Sequence, residues 1–192
     1  SVTADVMVPP DGASGVIVTQ GGQVGGWSLY VHDGRLKYCY NFFGIQYFIV
    51  AAETPLPAGK HQVRMEFAYD GGGLAKGGTV TLYLDGEPVG NGRVDITIPM
   101  GFSADEACDI GSDTGSPAST DYGPTGNRFT GAIDWVQLDI GEDSHDEQDC
   151  VGPHAPSVGD ITSVDGEVLA QHRDADGLAD RGRRLHGRGT AN

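Results

Sequence analysis

Apolar and polar residues alternate with a period of two along most of the first 140 positions. Val2, Ala4, Val6 and Val8 share one face and Thr3, Asp5 and Met7 the other, and the run stops at Pro9 and Pro10, which have no N–H to give a sheet ladder. Similar runs at about residues 15 to 20, 26 to 32, 35 to 42 and 45 to 52 predict a meander, with Asp33-Gly34 marking a tight primed turn. The strictest alternation runs from Lys60 to Tyr69, with His61, Val63, Met65, Phe67 and Tyr69 on one face and Gln62, Arg64, Glu66 and Ala68 on the other. The glycine-rich run 71–78 interrupts it. A strand from Thr79 to Leu84 then turns at Asp85-Gly86 into another that reaches Ile98 through Arg93.

Ser103 and Glu106 have capping-box spacing, but Gly101 and Gly111 leave room for one helical turn only. Residues 109 to 127 are a long loop rich in Asp, Gly, Ser, Thr and Pro. A loop of that length inside a compact domain is more often functional than a short one. The last strand, from Phe129 to Ile140, has apolar residues on both faces (Ile133 and Trp135; Val136, Leu138 and Ile140), which predicts a central position. Nine or ten short strands without a substantial helix need two stacked sheets or a barrel to bury their apolar faces. The expected fold is all-β, a two-sheet antiparallel β-sandwich.

All fifteen aromatic residues lie between Trp27 and Trp135, and residues 141–192 have none. The chain therefore divides into a sandwich domain, 1–140, and a polar tail, 141–192, whose composition cannot offset its ordering entropy and predicts disorder. Within the tail, segments near 161–164 and 167–170 flank Asp165-Gly166 as a hairpin that would be marginal alone.

Charge narrows the choice of partner. The formal charge is −15, divided into −9 over residues 1–140, with 7 basic against 16 acidic residues, and −6 beyond, with 5 against 11. Nucleic-acid binding needs a basic footprint, and the one basic cluster is the short run Arg181, Arg183, Arg184 and Arg188. Glycine, 31 of 192 residues, has no three-residue period and signals tight turns. Cys39, Cys108 and Cys150 are an odd set without CxxC spacing; reduced thiols are expected, with a Cys39–Cys108 bridge as the alternative. With no charged-then-apolar leader and no apolar run of about 20 residues, the expectation is a soluble, cytoplasmic protein that meets no membrane.

Six blocks carry a resemblance: GGWSLYV (25–31), LKYCYNFFG (36–44), LPAGKHQVRMEFAYDGGG (56–73), KGGTVTLYLDG (76–86), FSADEACDIGSDTGSP (102–117) and FTGAIDWVQLDI (129–140). Collinear over residues 1–140, they resemble the C-terminal domain of large bacterial arylsulfatases. The resemblance implies a concanavalin A-like jelly roll that follows and supports a sulfatase domain. That family's nucleophile is the Cys of a Cys-x-Pro-x-Arg signature, and none of the three cysteines here begins one. The implied partner is a sulfatase catalytic domain or a second copy of the chain. A free-standing lectin-like module that binds a glycan is the alternative.

Candidate sites are few. A glycoside hydrolase of this architecture needs two carboxylates flanking the scissile bond, and no strand offers such a pair. Asp105, Asp109, Asp113 and Asp121 sit in or beside the long loop, with Gly111 and Gly115 between them, a composition suited to Ca²⁺ and equally to ordinary turns. No other cofactor is expected. Trp27, Tyr30, Tyr38, Tyr40 and Tyr47, with Phe42 and Phe43, crowd adjacent strands; they are core, or else the tyrosines form an exposed platform for a sugar or a docking domain. His61 is expected to be half-buried and satisfied, and run 71–78 to be a hairpin loop, because it lacks the GxxxxGK[ST] pattern of a phosphate cradle.

Overall fold

A computed structural model describes residues 1–102, 108–140, 162–164 and 167–170. Asp105, the Ser103–Glu106 turn, Cys150, the basic run at 181–188 and most of the tail lie outside the described residues. Twelve strands are described: β1 (Val2–Val8), β2 (Gly15–Gly22), β3 (Gly25–His32), β4 (Arg35–Phe42), β5 (Gln46–Ala51), β6 (Gly59–Tyr69), β7 (Gly78–Leu84), β8 (Glu87–Val94), β9 (Cys108–Ile110), β10 (Ala132–Asp139), β11 (Thr162–Val164) and β12 (Glu167–Ala170). They form two antiparallel sheets, one in the order β11-β12-β10-β1-β6-β7-β8 and the other in the order β5-β4-β3-β2-β9. This is the two-sheet antiparallel β-sandwich expected from the alternation. The segment at 162–170 pairs onto β10 through β12, so at the level of the backbone it extends the larger sheet.

The core lies between the sheets. Val2, Ala4, Val6 and Val8 of β1, Val63 and Met65 of β6, and Val80 and Leu82 of β7 face Leu29 and Val31 of β3, Leu36, Tyr38 and Tyr40 of β4, and Phe48 and Val50 of β5. Every other residue of these strands points inward because successive side chains of a pleated strand alternate faces. Asp33-Gly34 and Asp85-Gly86 both have positive φ at both positions, the geometry of the primed turns that match strand twist.

Two bulges modify the alternation. In β2 the register with β3 shifts between Val16 and Val18, so Ile17 and Val18 both enter the core while Val16 packs on the outer face. In the β1–β10 pair the register shifts as Asp5 pairs with Trp135 and Val6 with Ile133, which leaves Asp134 as the extra residue. Ile133, Val136 and Leu138 therefore pack on one core despite their opposite parity. The apolar residues on both faces of this strand thus arise from a bulge as well as from its place between β1 and β12.

Two sequence expectations are corrected. β8 ends at Val94 instead of Ile98, because residues 95–98 leave the sheet to cross the end of the sandwich: Thr97 Oγ1 donates to the Lys76 carbonyl and Ile98 N–H to the Tyr40 hydroxyl. Residues 109–110, read as the start of a loop, form β9 together with Cys108, a short edge strand on β2. His61 is half-buried as expected, its Nδ1 2.7 Å from Asp85 Oδ2. Cys39 and Cys108 are free thiols, not a bridge.

Candidate functional site

The inner face of the five-stranded sheet meets the core, and its outer face is covered over β2, β3 and β4 by the loop that follows β9, while Ile49 and Ala51 of β5 stay exposed. Both ends of this loop are tied to β2: Gly111 N–H donates to the Ile17 carbonyl and Val16 N–H to the Asn127 carbonyl, while Phe129 N–H donates back to Gly111. The chain thus leaves and rejoins the sheet at neighbouring points and must fold over the strands between, as a compact loop packed by its own side chains does.

Within the loop, Asn127 is the organiser. Its side chain accepts from Asp113 N–H at 3.0 Å and donates to the carbonyls of Asp113 and Gly123 at 2.9 Å each. Asp113, itself buried, accepts from Ala118 N–H at 3.0 Å and from the Tyr122 hydroxyl at 2.9 Å. The Tyr122 ring then meets Tyr30 of β3 edge-on, centroids 5.3 Å apart. A buried polar side chain is tolerated only with its partners in place, so these bonds fix the loop's shape.

A second set of contacts latches the loop to the sheet. Asp121 Oδ2 accepts from Lys37 Nζ of β4 and from the Tyr30 hydroxyl, each at 2.8 Å. Ser119 Oγ donates to the Tyr30 hydroxyl at 3.1 Å and accepts from Asp121 N–H at 3.2 Å, and the Cys39 thiol approaches the Ala118 carbonyl at 3.7 Å. Lys37 and Asp121 side chains are 16% and 20% exposed, so their pairing is largely withdrawn from water. Burial pushes the Asp121 carboxyl up, but the bonds from Lys37 and Tyr30 outweigh it and hold the group below its ordinary value. Burial drives the phenols of Tyr30 and Tyr122 well up, and the Cys39 thiol up to about 12. Near neutrality the latch is one ion pair among neutral hydroxyls and a protonated thiol, an arrangement that holds structure together and supplies no nucleophile or general base.

The three predicted aspartates among the described residues each bind different partners. Asp109 binds Thr114 through N–H and hydroxyl at 2.8 and 2.6 Å, Asp113 binds Ala118 and Tyr122, and Asp121 binds Lys37 and Tyr30. Among the described residues no group of three or more His, Cys, Asp or Glu side chains is placed to hold a metal ion.

The aromatic set divides between two faces. Trp27, Tyr38 and Tyr40 point into the core, where Trp27 stacks on Tyr38 with centroids 6.3 Å apart, and Tyr30 lies under the loop with half-buried Tyr47 beside it. The expectation of an exposed platform is corrected for Trp27, Tyr30, Tyr38 and Tyr40, all of them buried. The register is the reason: it sets Trp27 opposite Tyr40 and Leu29 opposite Tyr38 on the inner face, and Tyr30 opposite Lys37 on the outer. Lys37, Ser119, Tyr122 and Asn127 were not singled out from sequence. The one available signal was Tyr122, a lone aromatic in a loop of Asp, Gly and Ser, which is the composition of an anchor.

Two shallow depressions lie near the far end of the sandwich. One, about 260 Å³, is lined by Gly111, Arg128, Phe129 and residues 131–134, and the other, about 350 Å³, by Pro9, Asp11, Ser14 and Thr130 among others. The single carboxylate in the first, Asp134, bonds Lys60 at 2.9 Å, so neither depression offers the facing carboxylate pair of a glycosidase. No helix among the described residues is long and apolar enough to cross a membrane.

No protein-family profile matches the chain, and no curated protein matches it significantly. Among solved structures, it is similar to a native heptameric SAP-like pentraxin from Limulus polyphemus, with 13% identity and a TM-score of 0.42. The match covers 71% of this chain and 61% of the pentraxin chain, so it spans about three fifths of that protein's length. The arylsulfatase resemblance rests on the sequence blocks alone.

Proposed function

We propose that residues 1–140 are a non-catalytic accessory module of the kind the arylsulfatase resemblance implies, one that packs on and supports a sulfatase catalytic domain outside this chain. The observation that supports this reading over the lectin-like one is the loop that covers the outer face of β2, β3 and β4 in the five-stranded sheet. A sandwich that stacks sugars on a sheet needs aromatic rings open to solvent, and here Tyr30 is covered by the loop while Asp121 and Lys37 satisfy one another. The chain also lacks the Cys-x-Pro-x-Arg nucleophile signature, so the reaction would belong to the partner domain.

The test is the intact mass and aryl sulfate hydrolysis of the native polypeptide, captured from its source cells with an antibody against the sandwich, beside the same assay on the 192-residue chain. The expected result is a species several times larger than 20.1 kDa that hydrolyses the ester, while the 192-residue chain does not. A native species near 20 kDa without activity refutes the reading, and glycan binding by that species would replace it with the lectin-like one.

A further inference from the structure

The exposed apolar side chains are gathered at one end of the sandwich. Val24, Phe43, Ile45, Leu74 and Met100, between 38% and 81% exposed, all sit on connections at the end where β2, β4 and β6 finish and β3, β5 and β7 start, and Tyr69 and Ile140 join them there. Of the large apolar side chains exposed among the described residues, just Met7 and Ile49 lie elsewhere. Scattered single apolar residues are normal on a surface, whereas a cluster on one end marks an interaction site.

This end is built as a unit. Buried Asn41 donates through Nδ2 to the carbonyls of Gly22 and Gln23 and accepts Gly44 N–H, which clamps the β2–β3 turn to the β4–β5 turn. A Cβ on Gly44 would come to 2.6 Å from the Gln23 carbonyl oxygen, so the two turns approach as closely as glycine allows. Phe43 is held beside it at φ 55°, a conformation bulky residues rarely adopt, and its ring rests edge-on against Phe42 instead of entering the core. The segment 95–98 ties this pair of turns to the β6–β7 connection: Ile98 bonds Tyr40, Thr97 bonds Lys76, and Lys76 N–H bonds the Tyr69 hydroxyl.

The charge of the end differs from that of the rest. Around these turns the described charged side chains are Asp70, Lys76, Arg93, Asp95 and Asp139, a net charge of −1 with Arg93 paired to Asp70, while residues 1–140 as a whole carry −9. Ser1, the residue before β1, lies at the same end, where its carbonyl accepts Asp139 N–H at 2.8 Å beside Ile140.

We propose that this end is the docking surface of the module, and that its occupant is the apolar, weakly charged face of the domain joined ahead of Ser1; the inference rests on the proposed function. A chain arriving at Ser1 reaches the sandwich at the apolar end. A partner tethered there meets Ile45, Leu74 and Met100, and its own surface need carry little compensating positive charge.

The experiment is amide hydrogen exchange, read by mass spectrometry at residues 23–25, 43–46, 72–75 and 99–101, on the captured native polypeptide and on the 192-residue chain. These amides are expected to exchange about tenfold or more slowly in the native polypeptide. Equal rates in a large polypeptide that hydrolyses aryl sulfate overturn the docking surface and leave the accessory reading standing; a native species near 20 kDa removes both. The paired variant Ile45→Asp with Leu74→Asp, placed in the long polypeptide, is expected to abolish the protection while leaving the melting temperature of the 192-residue chain unchanged, because both side chains face solvent. Protection that survives this variant overturns the proposal, as does a concentration-dependent dimer of the 192-residue chain with the same turns protected.

Discussion

Asp121→Asn tests the latch that closes the loop over the sheet. The substitution keeps the shape of the side chain and removes its charge, which leaves the Lys37 ammonium facing a neutral amide. Removing one member of a fully buried pair costs about 3 to 5 kcal/mol, and an exposed pair contributes about 0 to 1 kcal/mol. With Lys37 and Asp121 16% and 20% exposed, the cost falls between these limits, at about 2 kcal/mol. Weakening the bond from the Tyr30 hydroxyl adds up to about 1 kcal/mol. At about 3 to 4 °C per kcal/mol for a domain of this size, the melting temperature should fall by about 6 to 12 °C.

Urea unfolding followed by tryptophan fluorescence measures the difference, and Lys37→Met with the double variant completes a thermodynamic cycle for the pair. The pH dependence has a definite sign. The Asp121 carboxyl is held below its ordinary value in the folded protein, so its contribution is complete above the unfolded carboxylate pKa of about 4 and is lost as the pH falls through the depressed folded value. The stability gap between wild type and Asp121→Asn should therefore shrink on acidification below about pH 4. A gap below about 0.5 kcal/mol at pH 7, or one that stays constant through acid, would refute the latch.

Two further outcomes follow from the same loop. Cys39, pushed up to about 12 by burial beneath Ala118, should alkylate with iodoacetamide at pH 8 about a hundredfold more slowly in the folded chain than in urea, and faster in Asp121→Asn; rapid labelling of native Cys39, located by mass spectrometry, would mean the loop does not cover it. Because Asp109, Asp113 and Asp121 already bind Thr114, Tyr122 and Lys37, treatment with EDTA and then Ca²⁺ should move the melting temperature by less than about 1 °C, and a rise of several degrees would show that these carboxylates, or Asp105, bind the ion instead.

Regular strands were legible wherever one face is buried and the other wet. β1 and β6 announce their inward residues by alternation, and Asp33-Gly34 and Asp85-Gly86 announce their turns through the φ values that such turns require. The bulges at Ile17 and Asp134 were not legible, since one inserted residue reverses the parity without leaving a mark of its own in composition. β9 escaped for a related reason: three residues are too few to show a period, and a strand that short exists through its pairing with β2.

The amino-acid sequence by itself determined an all-β chain, its turns and the residues available to its core, because period-two patterning and turn chemistry act between neighbours along the chain. Tertiary structure alone decided what the loop is for. Lys37 and Asp121 are 84 positions apart and Tyr30 and Asp121 are 91, so nothing local shows that the aspartates of a turn-rich segment are taken up by a lysine and a tyrosine across a sheet. The same holds for the apolar end. Val24, Ile45, Leu74 and Met100 are isolated residues in sequence and become one surface when strand register brings four separate connections to the same end of the sandwich.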